Sequence, residues 1–295
     1  MNMLNRFNRS SSSINWMYVP ALIFFIVFIA YPFIQGIMIS FTDWNGYSET
    51  WNMIGLDNYK RLFSDKNMGL VIANTFIFGV LSTLFQNLFG LLYAFFVDMK
   101  FRFRGLVRTI VYLPVIVSPL IMGYILYYFF QYNGGALNEI MAWFGVAPRN
   151  WLDQWGSAVT SIVVVNTFQY VGPAMIIYLT GLQSISHDYY EAAELDGASS
   201  FAKFKSITLP LLMPAITINV VYNLIGGLKL FDIIMALTGG GPGYTTSSLS
   251  TFMYAVYSGQ QDAGYATAIG NLMFVIIGLI GLLVLNTLRK KEVEY

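Results

Sequence analysis

Charged residues are bunched along this chain, and long apolar runs lie between the bunches. No Asp, Glu, Lys or Arg falls between Arg9 and Asp43, Lys66 and Asp98, Arg108 and Glu139, Asp153 and Asp188, Lys205 and Lys229, or Asp262 and Arg289. Each run exceeds the about 20 residues that carry a helix across a hydrocarbon core about 30 Å thick. They predict an all-α, polytopic membrane protein with six transmembrane helices near 18–40, 71–97, 107–130, 158–182, 208–229 and 264–287. The first apolar stretch is too long for a secretory leader, and Tyr31-Pro32-Phe33 stands where a small-residue cleavage site is expected, so it reads as an uncleaved anchor. A seventh charge-free run, between Asp232 and Asp262, contains Thr238-Gly239-Gly240-Gly241-Pro242-Gly243. Its backbone cannot pair its own amides in lipid. It reads as an external loop with a short helix around Leu249–Tyr257.

Composition sharpens this picture. Of 295 residues 56% are apolar and 11% charged, against about 25% charged in soluble domains, and the mean hydropathy is +0.59. The surface therefore faces lipid. A net charge of +1 supplies no basic field for nucleic acid. The absence of cysteine excludes disulfides, thiolate-held metals and thiol nucleophiles. Lys and Arg collect in cytoplasmic loops. With both termini cytoplasmic, the inside holds Arg6, Arg9, Lys100, Arg102, Arg104, Arg108, Lys203, Lys205, Arg289, Lys290 and Lys291. The outside then holds Lys60, Arg61, Lys66 and Arg149, with Lys229 at a span end. This orientation leaves cytoplasmic tails at 1–17 and 289–295 around a membrane domain at 18–288.

The loop between the fourth and fifth spans has its own pattern. Residues 190–195 favour helix, Glu191 and Glu194 share one face at i and i+3, and Gly197 suits a helix end with positive φ. A second helix fits Ser199–Ile207, with Phe201, Phe204 and Ile207 along one side. Pro210 suits the opening of the next span, which Pro214 bends. A helix–Gly–helix knuckle of this kind suits a groove on another protein; a solvated helical linker is the plain alternative.

Glu191-Ala192-Ala193, Asp196-Gly197-Ala198, Phe204, Ile207, Leu209-Pro210 and Pro214 resemble the EAA signature of ABC importer permeases. Gly55-Leu56-Asp57-Asn58-Tyr59, Tyr112-Leu113-Pro114, Leu237–Pro242 and Gly264-Tyr265-Ala266-Thr267-Ala268 resemble the carbohydrate-uptake branch of that family, the maltose-permease-like, binding-protein-dependent type. The resemblance covers about residues 18–288. It implies the type I importer permease fold, with an EAA coupling loop over 187–210 that docks on a cytoplasmic ATP-binding subunit. Glu191, Ala192, Ala193, Asp196, Gly197, Ala198, Phe204 and Pro210 would lie in that joint. It also implies a second homologous permease subunit, two ATPase subunits holding ATP and Mg, and an extracellular solute-binding protein. The chain looks like the first permease of the pair. Between Thr42 and Leu70 there is no room for the large insertion of the enteric maltose subunit, which points to a shorter multiple-sugar type.

Polar side chains inside spans cost free energy and invite a functional reading. The fourth span offers Asn166, Gln169 and Tyr170, the fifth Asn219, Tyr222 and Asn223, and the sixth Asn271. Asn166 and Tyr170 share a face, as do Asn219 and Asn223. Amides and hydroxyls suit the OH groups of a sugar, and aromatic rings its apolar faces; the plain alternative is that these amides bond helix to helix. Lys229 and Asp232 are spaced to pair or to face water. No charged group lies in mid-span, which argues against an ion-coupled secondary transporter and against a membrane enzyme. It also favours a neutral sugar over an anion such as glycerol 3-phosphate. No Gly-x-x-x-x-Gly-Lys-Ser/Thr run exists. The purified chain alone is therefore expected to show no ATP turnover above a protein-free control; robust turnover would overturn its reading as a transport subunit.

Overall fold

In lipid, every backbone amide must find its partner inside the protein, and this chain meets that demand with helices. The computed structural model describes Trp16 and residues 18–292. Most of the two expected tails, with Arg6 and Arg9, lies outside the described residues. The long elements are α1 (Tyr18–Ile39), α2 (Asp57–Ser64), α3 (Met68–Asp98), α4 (Arg104–Ile116) and α5 (Pro119–Phe130). They continue with α6 (Ala136–Trp143), α7 (Trp155–Ser184), α8 (Asp188–Leu195), α9 (Ser200–Leu211) and α10 (Met213–Leu228). The chain closes with α11 (Asp232–Leu237), α12 (Leu249–Gln260) and α13 (Ala263–Arg289). Among the described residues α1, α3, α7 and α13 are each long and apolar enough to cross a membrane.

Two spans read from the sequence as single helices are broken pairs. The stretch expected at 107–130 is α4 and α5, meeting at 101°. Pro114 lies in the last turn of α4, Val117 is extended, and Pro119 opens α5. The residue before a proline is pushed out of the helical region, so the break falls at Val117-Ser118. The stretch expected at 208–229 opens earlier: α9 runs through to Leu211 and meets α10 at 63°. Pro214 sits in the first turn of α10, where its missing N–H costs nothing.

The chain divides into two compact units, Met1–Ser64 with Met253–Leu272, and Asp65–Phe252 with Met273–Tyr295. In the first, Asn58 Nδ2 donates to the Ser40 and Thr42 carbonyls at 3.0 and 2.8 Å. Arg61 meets Asp262 at 2.6 Å and lies 4.0 Å above the Tyr265 ring. In the second, α3 and α10 both pack on α7, as does α4. The buried face of α3 carries Asn74, Thr75, Gly79, Ser82, Gln86 and Gly90, while Val80, Leu84, Leu88, Leu92 and Phe96 point outward. This reversed polarity is that of a helix whose outer face meets lipid. Its small residues let backbones close in. A Cβ on Gly227 would fall 2.9 Å from the Gly79 Cα and 3.1 Å from the Phe78 carbonyl oxygen.

The glycine-rich loop after α11 is exposed at Gly239, Pro242 and Gly243 and then turns into the protein. Thr246, Ser247 and Ser248 are buried. Asn74 Nδ2 donates to the carbonyls of Thr245 (2.7 Å) and Ser247 (3.1 Å), and Leu249 N–H donates to Thr75 Oγ1 at 2.9 Å. Gly240 adopts φ +84 and has no room for a Cβ beside the Ser247 hydroxyl. Its glycines serve a tight turn rather than mobility.

Gly227→Ala is expected to destabilise the α3–α10 contact by about 1–3 kcal/mol. Gly226→Ala, where nothing lies within 4 Å, is expected to be neutral or to stabilise by up to about 1 kcal/mol. Thermal unfolding in detergent reads both; equal midpoints for the two variants would contradict the close-contact account.

Candidate functional site: a membrane cavity and a helical knuckle

Helices α3, α7 and α10 carry polar groups toward one another, and a cavity of about 430 Å³ opens where they meet α11. That volume lies within the range of small-molecule sites. Asn166 and Tyr170 line it from α7, Tyr222 and Asn223 from α10, Gln86 from α3, and Lys229 and Asp232 from the α10–α11 junction. Asn166 and Asn223 are 2% and 3% exposed. The Asn223 amide nitrogen has no hydrogen-bond partner, an expensive state for a buried donor unless a ligand takes it.

Of the seven side chains expected along the path, the structure brings these four together and parts the other three. Gln169 Nε2 donates to the Val117 carbonyl at 2.9 Å, the acceptor exposed by the break between α4 and α5. Asn219 Nδ2 donates to the Ala174 carbonyl at 3.2 Å, joining α10 to α7. Asn271 Nδ2 donates to the Tyr59 hydroxyl at 3.1 Å in the other unit. These three amides bond helix to helix. Two groups were missed. Gln86, whose Nε2 donates to the Asn166 carbonyl at 3.1 Å, was legible as an amide in the middle of the second apolar run. Lys229, just past the end of α10, also lines the cavity, although no Lys or Arg lies inside a span. Asp232 lines the same wall, which keeps the local charge near neutral.

The loop 187–210 forms a knuckle of α8, Gly197 and α9. Gly197 N–H donates to the Glu194 carbonyl at 3.0 Å and Ala198 N–H to the Ala193 carbonyl at 2.9 Å. With φ +75 at Gly197, this is a Schellman ending that needs glycine. Lys203 Nζ meets Glu194 Oε1 at 2.6 Å across the bend, and the ammonium holds the Glu194 carboxyl below its usual range, first by the hydrogen bond and then by charge. Tyr190 and Thr208 share a hydroxyl contact at 3.0 Å. His187, the sole histidine, reaches Glu191 at 3.1 Å. Glu191, Ala192 and Asp196 are exposed, and so are Leu195 and Phe201, whereas Ala193, Ala198 and Pro210 are half-buried. Phe204 turns away from the exposed face and packs edge-on against Phe95 at 5.9 Å.

Residues 86–291 match the family described as binding-protein-dependent transport system inner membrane component. The chain belongs to that family. The permease is 33% identical over 282 residues to the probable starch degradation products transport system permease protein AmyD of Thermoanaerobacterium thermosulfurigenes, covering 95% of each chain. It is 35% identical over 261 residues to the trehalose/maltose transport system permease protein MalF of Thermococcus litoralis, covering 88% of each. A chain in the crystal structure of a bacterial ABC transporter involved in the import of the acidic polysaccharide alginate superposes with a TM-score of 0.82 at 26% identity, over 97% of this chain and 98% of that one. The permease is thus a membrane component of an ABC importer, built on that importer fold.

Asn223→Leu is expected to weaken substrate uptake by the assembled importer without lowering the amount assembled. Asn219→Leu, which removes one bond between helices, is expected to cost stability of about 0.6 kcal/mol and at most about 2. Uptake kinetics and the yield of intact complex read the difference; a swapped pattern would contradict this division of roles.

Proposed function

We propose that the permease forms half of the translocation path for a neutral sugar or oligosaccharide, driven by ATP on partner subunits. One observation carries the reading: Asn166, Tyr170, Tyr222 and Asn223 line one cavity among membrane helices, with a buried, unpartnered Asn223 amide. Amides serve sugar hydroxyls, and tyrosine rings serve the apolar ring faces, so this set fits a polyol. Lys229 and Asp232 together add no net charge, which fits a neutral solute better than glycerol 3-phosphate. Relatives named for starch degradation products and for trehalose and maltose support the same class.

The partners in this reading are a second homologous permease, two cytoplasmic subunits that bind ATP and Mg, and an extracellular solute-binding protein. One solved structure similar to this chain (27% identity, TM-score 0.81, 96% of each chain) is a bacterial alginate ABC transporter in complex with alginate pentasaccharide-bound periplasmic protein. The permease lies in the cell (inner) membrane with residues 18–288 as its membrane domain, both termini cytoplasmic, and the 187–210 knuckle on the cytoplasmic side. There Glu191, Ala192, Ala193, Asp196, Gly197 and Ala198 meet the ATPase subunit. Small alanines permit close approach, and exposed Leu195 and Phe201 add apolar contact. Phe204 and Pro210 act from behind, fixing α9 to the span that follows it. A knuckle held by the Glu194–Lys203 bridge and the Schellman turn moves as one body, so closure of the ATPase pair passes into α10 and the cavity wall.

Gly197→Val places a β-branched residue at positive φ, strained by about 1–2 kcal/mol. In proteoliposomes with binding protein and ATP, it is expected to hydrolyse ATP without sugar uptake, while Gly197→Asn keeps both. Normal uptake by Gly197→Val, or uptake in the absence of ATP, would refute the proposal.

A further inference from the structure

Helix α11 separates the membrane cavity from a second, larger hollow. Asp232 and Ile233 line the first; Ala236 and Leu237 line the second, a polar cavity of about 600 Å³. The second is walled by Tyr127 and Gln131 at the end of α5, Tyr132 and Asn133 just beyond it, Asn150 and Asp153 ahead of α7, and the loop 238–242. Nothing in the uptake reading above uses it.

Its walls are held independently of any occupant. Asn138, on α6 and 5% exposed, ties two of them together. Its Nδ2 donates to the Tyr132 carbonyl at 3.1 Å and the Arg149 carbonyl at 3.0 Å. Its Oδ1 accepts from Arg149 N–H at 3.1 Å and Trp151 Nε1 at 2.9 Å. The third wall is pinned by Thr246 N–H donating to the Gly240 carbonyl (3.1 Å), by Gly241 N–H donating to the Thr238 carbonyl (3.0 Å), and by the 2.8 Å contact of the Thr238 and Thr246 hydroxyls. A site ordered in advance spends little of its binding free energy on ordering.

The groups presented have the chemistry of a carbohydrate site. Tyr127 and Tyr132 are 37% and 49% exposed, so ring surface is open for stacking on a pyranose. Three amides and one carboxylate surround them. Asp153, already accepting from Asn150 Nδ2, is the sole Asp, Glu, Lys or Arg in the lining; it accepts from sugar hydroxyls and repels an acidic sugar. We propose that this hollow is an outer subsite for rings of a neutral oligosaccharide, waiting beside the membrane cavity. Helix α11 has six residues, about 9 Å of length, a gap that an oligosaccharide of a few rings covers. The inference rests on the sugar-uptake reading and on the orientation given there.

The test is saturation-transfer NMR on the complete importer in nanodiscs, with maltotriose, raffinose and trigalacturonate as probes. One double variant, Tyr132→Ala with Asn150→Ala, removes the outer hollow; another, Tyr222→Ala with Asn223→Leu, removes the membrane cavity. A neutral trisaccharide is expected to keep its signal in the cavity variant and to lose about fivefold in affinity in the outer variant. Tyr132→Phe, which keeps the ring face, restores it, and trigalacturonate gives none. The proposal is overturned if no neutral probe binds independently of the membrane cavity, or if trigalacturonate binds better. It is also overturned if the outer variant leaves the sugar signal intact and weakens docking of the binding protein instead. If ATP-driven sugar uptake persists while the outer signal is missing, only this inference falls; if no sugar is taken up with ATP, the functional reading falls with it.

Discussion

The bond from Gln169 to Val117 answers the main difficulty of this architecture. A span broken by 101° in the bilayer leaves a carbonyl without its helical donor, and lipid offers none. Gln169, fully buried on α7, supplies that donor at 2.9 Å. The same helix accepts from Gln86 at Asn166 and from Asn219 at Ala174. Apolar surface gives no net drive for association among lipid tails, so these bonds and close small-residue contacts hold the bundle. A Cβ on Gly90 would stand 2.7 Å from the Ala174 Cβ, and one on Gly172 2.7 Å from the Tyr112 Cα. With α7 held on three sides, its Asn166 and Tyr170 are left facing the cavity.

Much of the fold was legible because lipid enforces one rule on every span. Charge-free runs longer than a membrane crossing place the helices α1, α3, α7 and α13 almost by inspection. The bends were less legible. Pro114, Pro119, Pro210 and Pro214 mark where a helix is weakened, but a proline at a first turn is tolerated and one in a last turn ends the helix. Which of these breaks, and by how much, depends on what receives the freed carbonyl, and Gln169 lies 52 residues from Val117 in sequence. The loop 238–248 reads as external because its glycines cannot pair in lipid. Its Thr245 and Ser247 carbonyls accept from Asn74, and the N–H of Leu249 that follows it donates to Thr75, side chains on a distant helix that no local pattern connects to it.

The candidate site divides along the same line. Asn166, Tyr170, Tyr222 and Asn223 are legible because polar groups in apolar runs are rare; spacing of four puts Asn166 and Tyr170 on one face, whereas Asn219, four before Asn223, bonds to the Ala174 carbonyl instead of lining the cavity. The same rarity flagged Gln169, Asn219 and Asn271, which bond to carbonyls or a tyrosine; an amide looks alike in sequence whether it faces a helix or a ligand. Lys229 reads as a span-end residue, and its place in the cavity lining follows from the end of α10 at Leu228 rather than from hydropathy. The knuckle was the most legible part. Its helix formers and its glycine at positive φ are local, and local structure is what sequence reads best; the Glu194–Lys203 bridge across the bend is seen only in the structure.

Cavity and knuckle are joined in one continuous piece of chain: α8, Gly197, α9, then α10 with Tyr222 and Asn223. In the proposed function, a push on the knuckle would reach the cavity through these two bends, whose geometry is set by prolines and one glycine. All of this requires the knuckle to lie in the cytoplasm, against an ATP-hydrolysing partner. The chain has no cysteine, so Ala192→Cys gives a single reporter. With a membrane-impermeant maleimide, the account predicts no labelling of intact cells, labelling after permeabilisation when the ATPase subunit is absent, and protection when it is present. Labelling of intact cells from the outside would contradict it.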